Sequence, residues 1–415
     1  MPSLIEIIAD IIKSAVVIFA LLTAFAYMTL IERRVVAKIQ GRIGPNRAGP
    51  FGMFQPVADA VKMAFKEQIV PTQAKKAIYL IAPIISVVVA LCAFAVVPIG
   101  NSWISGKPGI WDPIIGDINV GLLWILSISS LAVYGIVLGG WASGNRYSLL
   151  GSLRSAAQMV SYETSLGLAL SGTLMWAGTL SMVGIVHAQL DQHIWFVFAQ
   201  PLGFVIYIIA GVAEVNRAPF DLPEAEQELT AGYLTEYSGL RWSLYQMAEY
   251  INMITVSAVA ATLFFGGWSF FGFGLENIPG LSIIIFLIKV AFFLFLFIWL
   301  RATLPRIRYD RLMRLGWQLL LPLAVLNVVI TATVVALNWP WWVSGIIGLA
   351  VVVAMLLYIN RRTEAAQGET RAQSTQAATL PSSVRLAKFE PLDGQAQVVE
   401  QKPVVKDTTV KAQGV

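Results

Sequence analysis

The sequence predicts an all-α polytopic membrane protein of about nine transmembrane helices, with an interfacial amphipathic helix and structured cytoplasmic loops. Three observations predict it. Of 415 residues, 57% are hydrophobic and only 13% charged, about half the charge of a soluble domain. The apolar residues come in runs of the roughly 20 needed to cross a hydrocarbon core. Lysine and arginine segregate sharply: eighteen fall in connections after odd-numbered spans, and Lys107 alone after even-numbered ones. That asymmetry orients helices in a bilayer. An ordinary cytosolic enzyme, a disordered protein and a nucleic-acid-binding module are excluded. The net charge of +5 is then a topology signal.

The spans are expected at about 11–31, 78–98, 119–141, 156–178, 194–213, 247–271, 281–300, 316–337 and 340–359. The fourth is weakened by Glu163, the ninth by its short connection, Asn338-Trp339-Pro340. Tryptophans crowd the span ends, where an amphipathic ring sits at headgroup level. The first run lacks an A-x-A cleavage pattern and is followed by Glu32-Arg33-Arg34, so no cleavable signal is expected. The basic connections face the cytoplasm, which puts the N-terminus outside and the tail inside. A transmembrane helical domain, 1–361, carries cytoplasmic loops at about 32–77, 142–155, 214–246 and 301–315. Residues 362–415 are rich in Gln, Ala, Thr and Val, with Phe389 as the one aromatic, and are expected to be a disordered cytoplasmic tail. With one cysteine, Cys92, and two histidines, His187 and His193, the chain cannot ligate an iron–sulfur cluster or a bis-histidine haem on separate spans.

The odd connections are long and chemically dense. The first contains two Gly-Pro turns and then Phe51 to Glu67, with Phe54, Val57, Ala58, Val61, Ala64 and Phe65 on one helical face and Asp59, Lys62 and Lys66 on another. This reads as a helix lying in the membrane plane, either a plain surface anchor or the border of a doorway for a lipid-soluble substrate. The third holds Asp221, Glu224, Glu226, Glu228 and Glu236, with no basic residue between Arg217 and Arg241. Helix capping explains Asp221 and Glu224. It explains Glu228 poorly, because Glu224 and Glu228 repel at i, i+4, and this favours a cluster of coupled carboxylates. The fourth packs five arginines into 14 residues. Arg311 and Arg314 read as membrane anchors, whereas Arg301 and Arg306, flanking a proline turn, suit fixed ion pairs.

Within the apolar runs lie Glu163 in span four, Glu214 closing span five, Glu249 opening span six, and Lys289 in span seven. An ionisable group there costs at least about 2.5–3.5 kcal/mol to insert, so function is its default explanation. A structural role fits Lys289 well, and an interfacial position is open to Glu214 and Glu249. Glu163 is the hardest to explain without proton transfer.

The segments Glu32-Arg33, Gly44-Pro45-Asn46, Gln55-Pro56-Val57-Ala58-Asp59-Ala60, Arg154 to Met159 with Ser161-Tyr162-Glu163, Glu214 to Glu226, Tyr233 to Gly239 and Arg301 to Gly316 resemble the H-type (ND1) membrane subunit of respiratory complex I, the proton-pumping NADH:quinone oxidoreductase. The likeness covers about residues 5–340. It implies a subunit without redox centres of its own, which forms much of the quinone tunnel and contributes to coupling quinone reduction to proton translocation. It further implies quinone as substrate, FMN and iron–sulfur clusters in partner subunits, and a bacterial inner membrane shared with peripheral-arm, small membrane and antiporter-like subunits. Lipid is a partner and nucleic acid is not. Carried over residue by residue, the acidic track is Glu163, Glu214 and Glu249 inside the membrane, with Asp59, Glu224, Glu226 and Glu228 towards the quinone cavity. Arg33, Arg217, Phe220, Asp221, Glu236, Arg301 and Arg306 match the tunnel and its ion pairs. The related subunit of a membrane-bound hydrogenase or formate hydrogenlyase is the alternative; a stand-alone secondary transporter fits less well, since no internal repeat is visible.

Overall fold

The computed structural model describes residues 4–101, 114, 116–221, 231–270, 278 and 280–379. Among these the ordered structure is helical: α1 (Leu4–Ile39), α2 (Gln55–Phe65), α3 (Lys76–Phe94), α4 (Gly121–Ala142), α5 (Arg146–Ala177), α6 (Met182–Asp191), α7 (Phe196–Ala199), α8 (Pro201–Glu214), α9 (Gly239–Phe265), α10 (Leu281–Thr303), α11 (Tyr309–Arg314), α12 (Leu321–Ala336) and α13 (Trp341–Thr379). Chain contacts divide it into two units, Met1–Val352 and Val353–Val415. The first unit carries everything discussed below.

Each of the nine expected apolar stretches contains helix, though not nine uninterrupted ones. Among the described residues, seven helices are long and apolar enough to cross a membrane. The fourth stretch passes only when α5 is joined to α6 across a 53° bend. Its own face is polar, with Ser148, Ser152, Ser155, Gln158 and Ser165 all buried against other helices. The fifth is broken at Gln200, whose φ of −132° and ψ of 53° leave the helical region. Pro201 accounts for this, because proline disfavours helical geometry in the residue before it. The break is satisfied internally: Gln200 Nε2 donates to Thr331 Oγ1 at 2.8 Å, and Ser344 Oγ donates to the carbonyl of Ala199 at 2.9 Å.

The remaining expectations shift in detail. The interfacial helix is shorter than 51–67: a single 3-10 turn at Pro50–Gly52 precedes α2. Its apolar face stays open, with Phe54, Val57, Val61 and Phe65 exposed, as a membrane-plane helix requires. The tail expected to be disordered from 362 begins as helix, since α13 runs to Thr379. Ala, Glu, Gln and Arg dominate 362–379, and these favour helix even without burial. Residues 380–415 lie outside the described residues.

α5 is the central element, packed against α4, α8 and α12. Asn145 caps its start by accepting from the Tyr147 backbone N–H at 2.9 Å, and Gly178 ends it in the left-handed region. The α4–α5 approach depends on Gly140, where a Cβ would stand 2.2 Å from Ser152 Oγ. α1 touches α2, α9 and α10.

Candidate functional site

Three assemblies use the charged residues singled out above. The first joins four segments at one carboxylate. Glu32, near the end of α1, is 6% exposed. Its Oε2 accepts from Tyr250 of α9 at 2.6 Å. Its Oε1 accepts from Arg301 of α10 and lies 3.7 Å from Arg217, in the connection after α8. The Arg217 guanidinium also stacks over the Tyr250 ring, 4.0 Å from its centroid. Burial works against the Arg217 charge, but Tyr250, Glu32 and Glu249 outweigh it and hold the guanidinium more firmly protonated than usual. The surrounding space, about 10 Å³ walled by Met253, Phe297 and Ile298, admits at most one water. Sequence reasoning did not select Glu32. The available signal was an acid between an apolar run and two arginines, at a membrane end where basic residues prevail.

The second assembly fastens the loops. Arg33 pairs with Asp59 of α2 at 2.6 Å, with Gln55 donating at 3.2 Å and Lys62 at 3.4 Å. Burial alone would raise the Asp59 carboxyl; Arg33, Gln55 and Lys62 outweigh it and hold it below the ordinary value. Arg306 donates to the buried Asp221 at 3.0 Å, and Ile307 N–H donates to the carbonyl of Pro219 at 3.0 Å. Phe220 is buried with its ring 5.9 Å from that of Tyr162, and its carbonyl accepts from Gln158 at 2.8 Å. Glu224, Glu226 and Glu228 lie outside the described residues.

The third is a row of carboxylates between α4, α5, α8 and α9. Glu163 lies in the middle of α5, because that helix starts at Arg146 rather than near 156. Its Oε1 accepts from Ser129 at 3.3 Å and from Ser130, both on α4. Ser129 lines a mainly apolar cavity with room of about 40 Å³ for water, which Glu214 also lines. A second space, about 20 Å³, contains Glu214, Asn216, Glu249 and Tyr233. The two share Ala132, Met159, Glu214, Val215 and Asn252, so Glu214 stands where they meet. The second space is large and polar enough for a water, and among the described residues the buried Asn216 Oδ1 has no hydrogen-bond partner. Glu249 lies nearly three turns inside α9, which begins at Gly239, and accepts from the Tyr233 hydroxyl at 3.1 Å.

Glu236 joins none of these. Asn145 Nδ2 donates to its Oε1 at 2.7 Å, beside a cleft of about 400 Å³ formed by residues 71–73, 143–147 and Glu236. Lys289 is accounted for structurally. Its ammonium donates to the carbonyls of Phe265, Gly267 and Ser269 at 2.6, 2.8 and 2.5 Å, at the C-terminus of α9 where a cation is favoured. Among the described residues no group of His, Cys, Asp and Glu is arranged to hold a metal ion.

Known proteins share this chain's sequence over most of its length. Residues 12–332 match the family described as NADH dehydrogenase. The NADH-quinone oxidoreductase H subunit of Deinococcus deserti is 49% identical over 358 residues, covering 85% of this chain and 91% of that protein. NADH-quinone oxidoreductase subunit 8 of Thermus thermophilus is 52% identical over 333 residues, covering 79% and 87%. The corresponding H subunit of Protochlamydia amoebophila is 52% identical over 311 residues, covering 75% and 92%.

Proposed function

This chain belongs to the family of NADH-quinone oxidoreductase H subunits, membrane components of an oxidoreductase complex, and from that premise we propose that it passes protons along Glu163, Glu214 and Glu249 while guiding quinone out of the bilayer. The observation that carries the reading is the pair of adjoining cavities with Glu214 at their junction, one beside the Glu163 serines and the other beside Glu249. A carboxylate takes up and releases a proton when a donor or a water is within hydrogen-bond reach. Here each gap is filled by a hydroxyl or by space for water. The groups titrate as a coupled set, so a charge placed at one end redistributes protons along the row.

Quinone would pass along α1, α2 and α9, past Arg33, Arg217, Phe220, Asp221, Arg301 and Arg306. The ion pairs among them fix that wall: α1 to α2 through Arg33–Asp59, α1 to α10 through Glu32–Arg301, and the 217–221 turn to the 305–308 segment through Asp221–Arg306. Asp59 in that wall, and by resemblance Glu224, Glu226 and Glu228, would supply acids towards the quinone cavity. Electrons are held by FMN and iron–sulfur clusters of partner subunits, and this chain supplies none of their ligands. The partners are the peripheral-arm, small membrane and antiporter-like subunits of a bacterial inner membrane complex, with the N-terminus outside and the tail in the cytoplasm.

The test is Glu163→Gln in the assembled complex reconstituted in vesicles. Glutamine keeps the shape and the serine contacts but cannot release a proton, so protons moved per NADH oxidised should fall sharply. An unchanged ratio overturns the reading. Identifying the companion chains of the purified complex separates it from a hydrogenase assembly.

A further inference from the structure

The carboxylate row ends at Glu249, and the hydrogen bond there leads away from the membrane into a group of four tyrosines. Tyr233 donates to Glu249 at 3.1 Å, and its ring meets the Tyr245 ring edge-on, 5.2 Å between centroids. Tyr245 meets Tyr237 the same way at 5.0 Å, and Tyr237 stacks on Tyr79 at 4.3 Å with the planes 8° apart. Tyr233 and Tyr245 both line the 20 Å³ space that contains Glu249, which has room for a water between them.

Two hydroxyls converge on a glycine. A Cβ at Gly139 would lie 2.1 Å from the Tyr245 hydroxyl oxygen and 3.3 Å from that of Tyr237. One helical turn on, Ser143 is buried at 1% exposure and lines the 400 Å³ cleft with Glu236. Its Oγ donates to the carbonyl of Gly140 at 2.7 Å, one residue from the glycine on which the tyrosine hydroxyls converge. Tyr79 donates to the backbone carbonyl of Glu236 at 2.6 Å, which holds the chain at the cleft against the tyrosine group.

We propose that Glu236 is the mouth of a proton-uptake route from the aqueous face, in which Ser143 and the hydroxyls of Tyr237, Tyr245 and Tyr233 deliver protons to Glu249. A hydroxyl donates one proton and accepts another. At rest Ser143 donates to the Gly140 carbonyl, Tyr237 to those of Tyr79 and Gly139, and Tyr245 to that of Gly135; each hydroxyl turns from its carbonyl to release its proton to the next as it receives one from the last, Glu236 draws on water, Glu249 gains one proton, and no electron moves. Burial holds the Tyr237 and Tyr233 hydroxyls above the ordinary phenol range, so transfer passes through neutral phenols. This deepens the proton row proposed above, rests on it, and separates Glu236 from the quinone wall.

The experiment uses the assembled complex in vesicles carrying Tyr237→Phe, Tyr245→Phe, Glu236→Gln or Glu236→Asp, beside Glu163→Gln. The two phenylalanine variants keep ring volume and stacking and remove only the hydroxyl. Protons moved per NADH oxidised should fall by roughly half or more in them and in Glu236→Gln, and Glu236→Asp should recover part of the loss. If these variants pump at the wild-type ratio while Glu163→Gln does not, the uptake route is wrong and the membrane row stands. If Glu163→Gln also pumps normally, the row itself fails and the route with it.

Discussion

Glu32 and Glu163 are the same residue type in the same bilayer-spanning unit, and their surroundings differ in every respect that matters. Glu32 is nearly sealed, touches two guanidiniums and a tyrosine hydroxyl, and has room for at most one water beside it. Glu163 is half-buried, is held by two serine hydroxyls, and one of those serines borders a cavity with space for several waters. A buried carboxylate between two guanidiniums is tied in place, because removing it strands their charges. One held by hydroxyls beside a cavity has no cation to anchor. The comparison separates a fastening from a proposed relay by the neighbours each carboxylate has and the space beside it.

Removing the fastening should have the largest effect. Glu32→Ala leaves the buried Arg217 and the part-exposed Arg301 without their shared anion, and breaking one partner of a buried pair costs about 3–5 kcal/mol. Four segments meet there, so the expected outcome is failure of the chain to assemble into its complex, read by native electrophoresis and thermal unfolding of the purified complex. Normal assembly would show that the charges are satisfied some other way.

Lys289 puts the same distinction to a cation. Its three carbonyl partners make it a cap for α9. Lys289→Met keeps the stem and loses the donors, which should destabilise by about 1.5–3 kcal/mol, the range for hydrogen bonds to a charged group. The protons moved per NADH oxidised in whatever assembles should be unchanged, and a changed ratio would move Lys289 into the relay.

Glu163→Gln tests the other side. The amide fits the serine contacts, so unfolding should shift by less than about 1 kcal/mol while pumping falls. A large loss of stability without loss of coupling would make Glu163 a fastening too.

How much of this was legible beforehand follows from what sequence patterns encode. Apolar runs report local solvent preference, and seven of the nine stretches they marked coincide with helices long and apolar enough to cross a membrane among the described residues. The break at Gln200 was signalled by Pro201 inside an apolar run, and the buried polar face of α5 by Ser148, Ser152 and Ser155 at helical spacing. Arg301 and Arg306 were recognisable as ion-pair candidates because they flank Pro305. Their partners were not, since Glu32 and Asp221 lie 269 and 85 residues away and only the fold brings them close. The same holds for the cavities that link Glu163 to Glu214 and Glu249. Glu236, counted with the tunnel by resemblance, bonds Asn145, 91 residues away, beside a cleft that sequence patterns did not reveal.

The smallest expected effect is at Asp59, an exposed-rim version of the Glu32 arrangement. Its carboxyl is held below the ordinary value by Arg33, Gln55 and Lys62. A group depressed on folding stabilises fully above its unfolded value, near 3.9, and the contribution disappears as pH falls through the lower folded value. Arg33 is half-exposed, and pairs in contact with solvent are worth about 0.2–1 kcal/mol. Arg33→Gln should therefore loosen α2 slightly at pH 7, measured as faster protease nicking of the 40–55 loop. The difference from wild type should persist down to about pH 4 and shrink below it, and it should weaken with added salt. A difference that grows on acidification would mean that Asp59 is held mainly in its neutral form, and that the pairing with Arg33 does not set its charge.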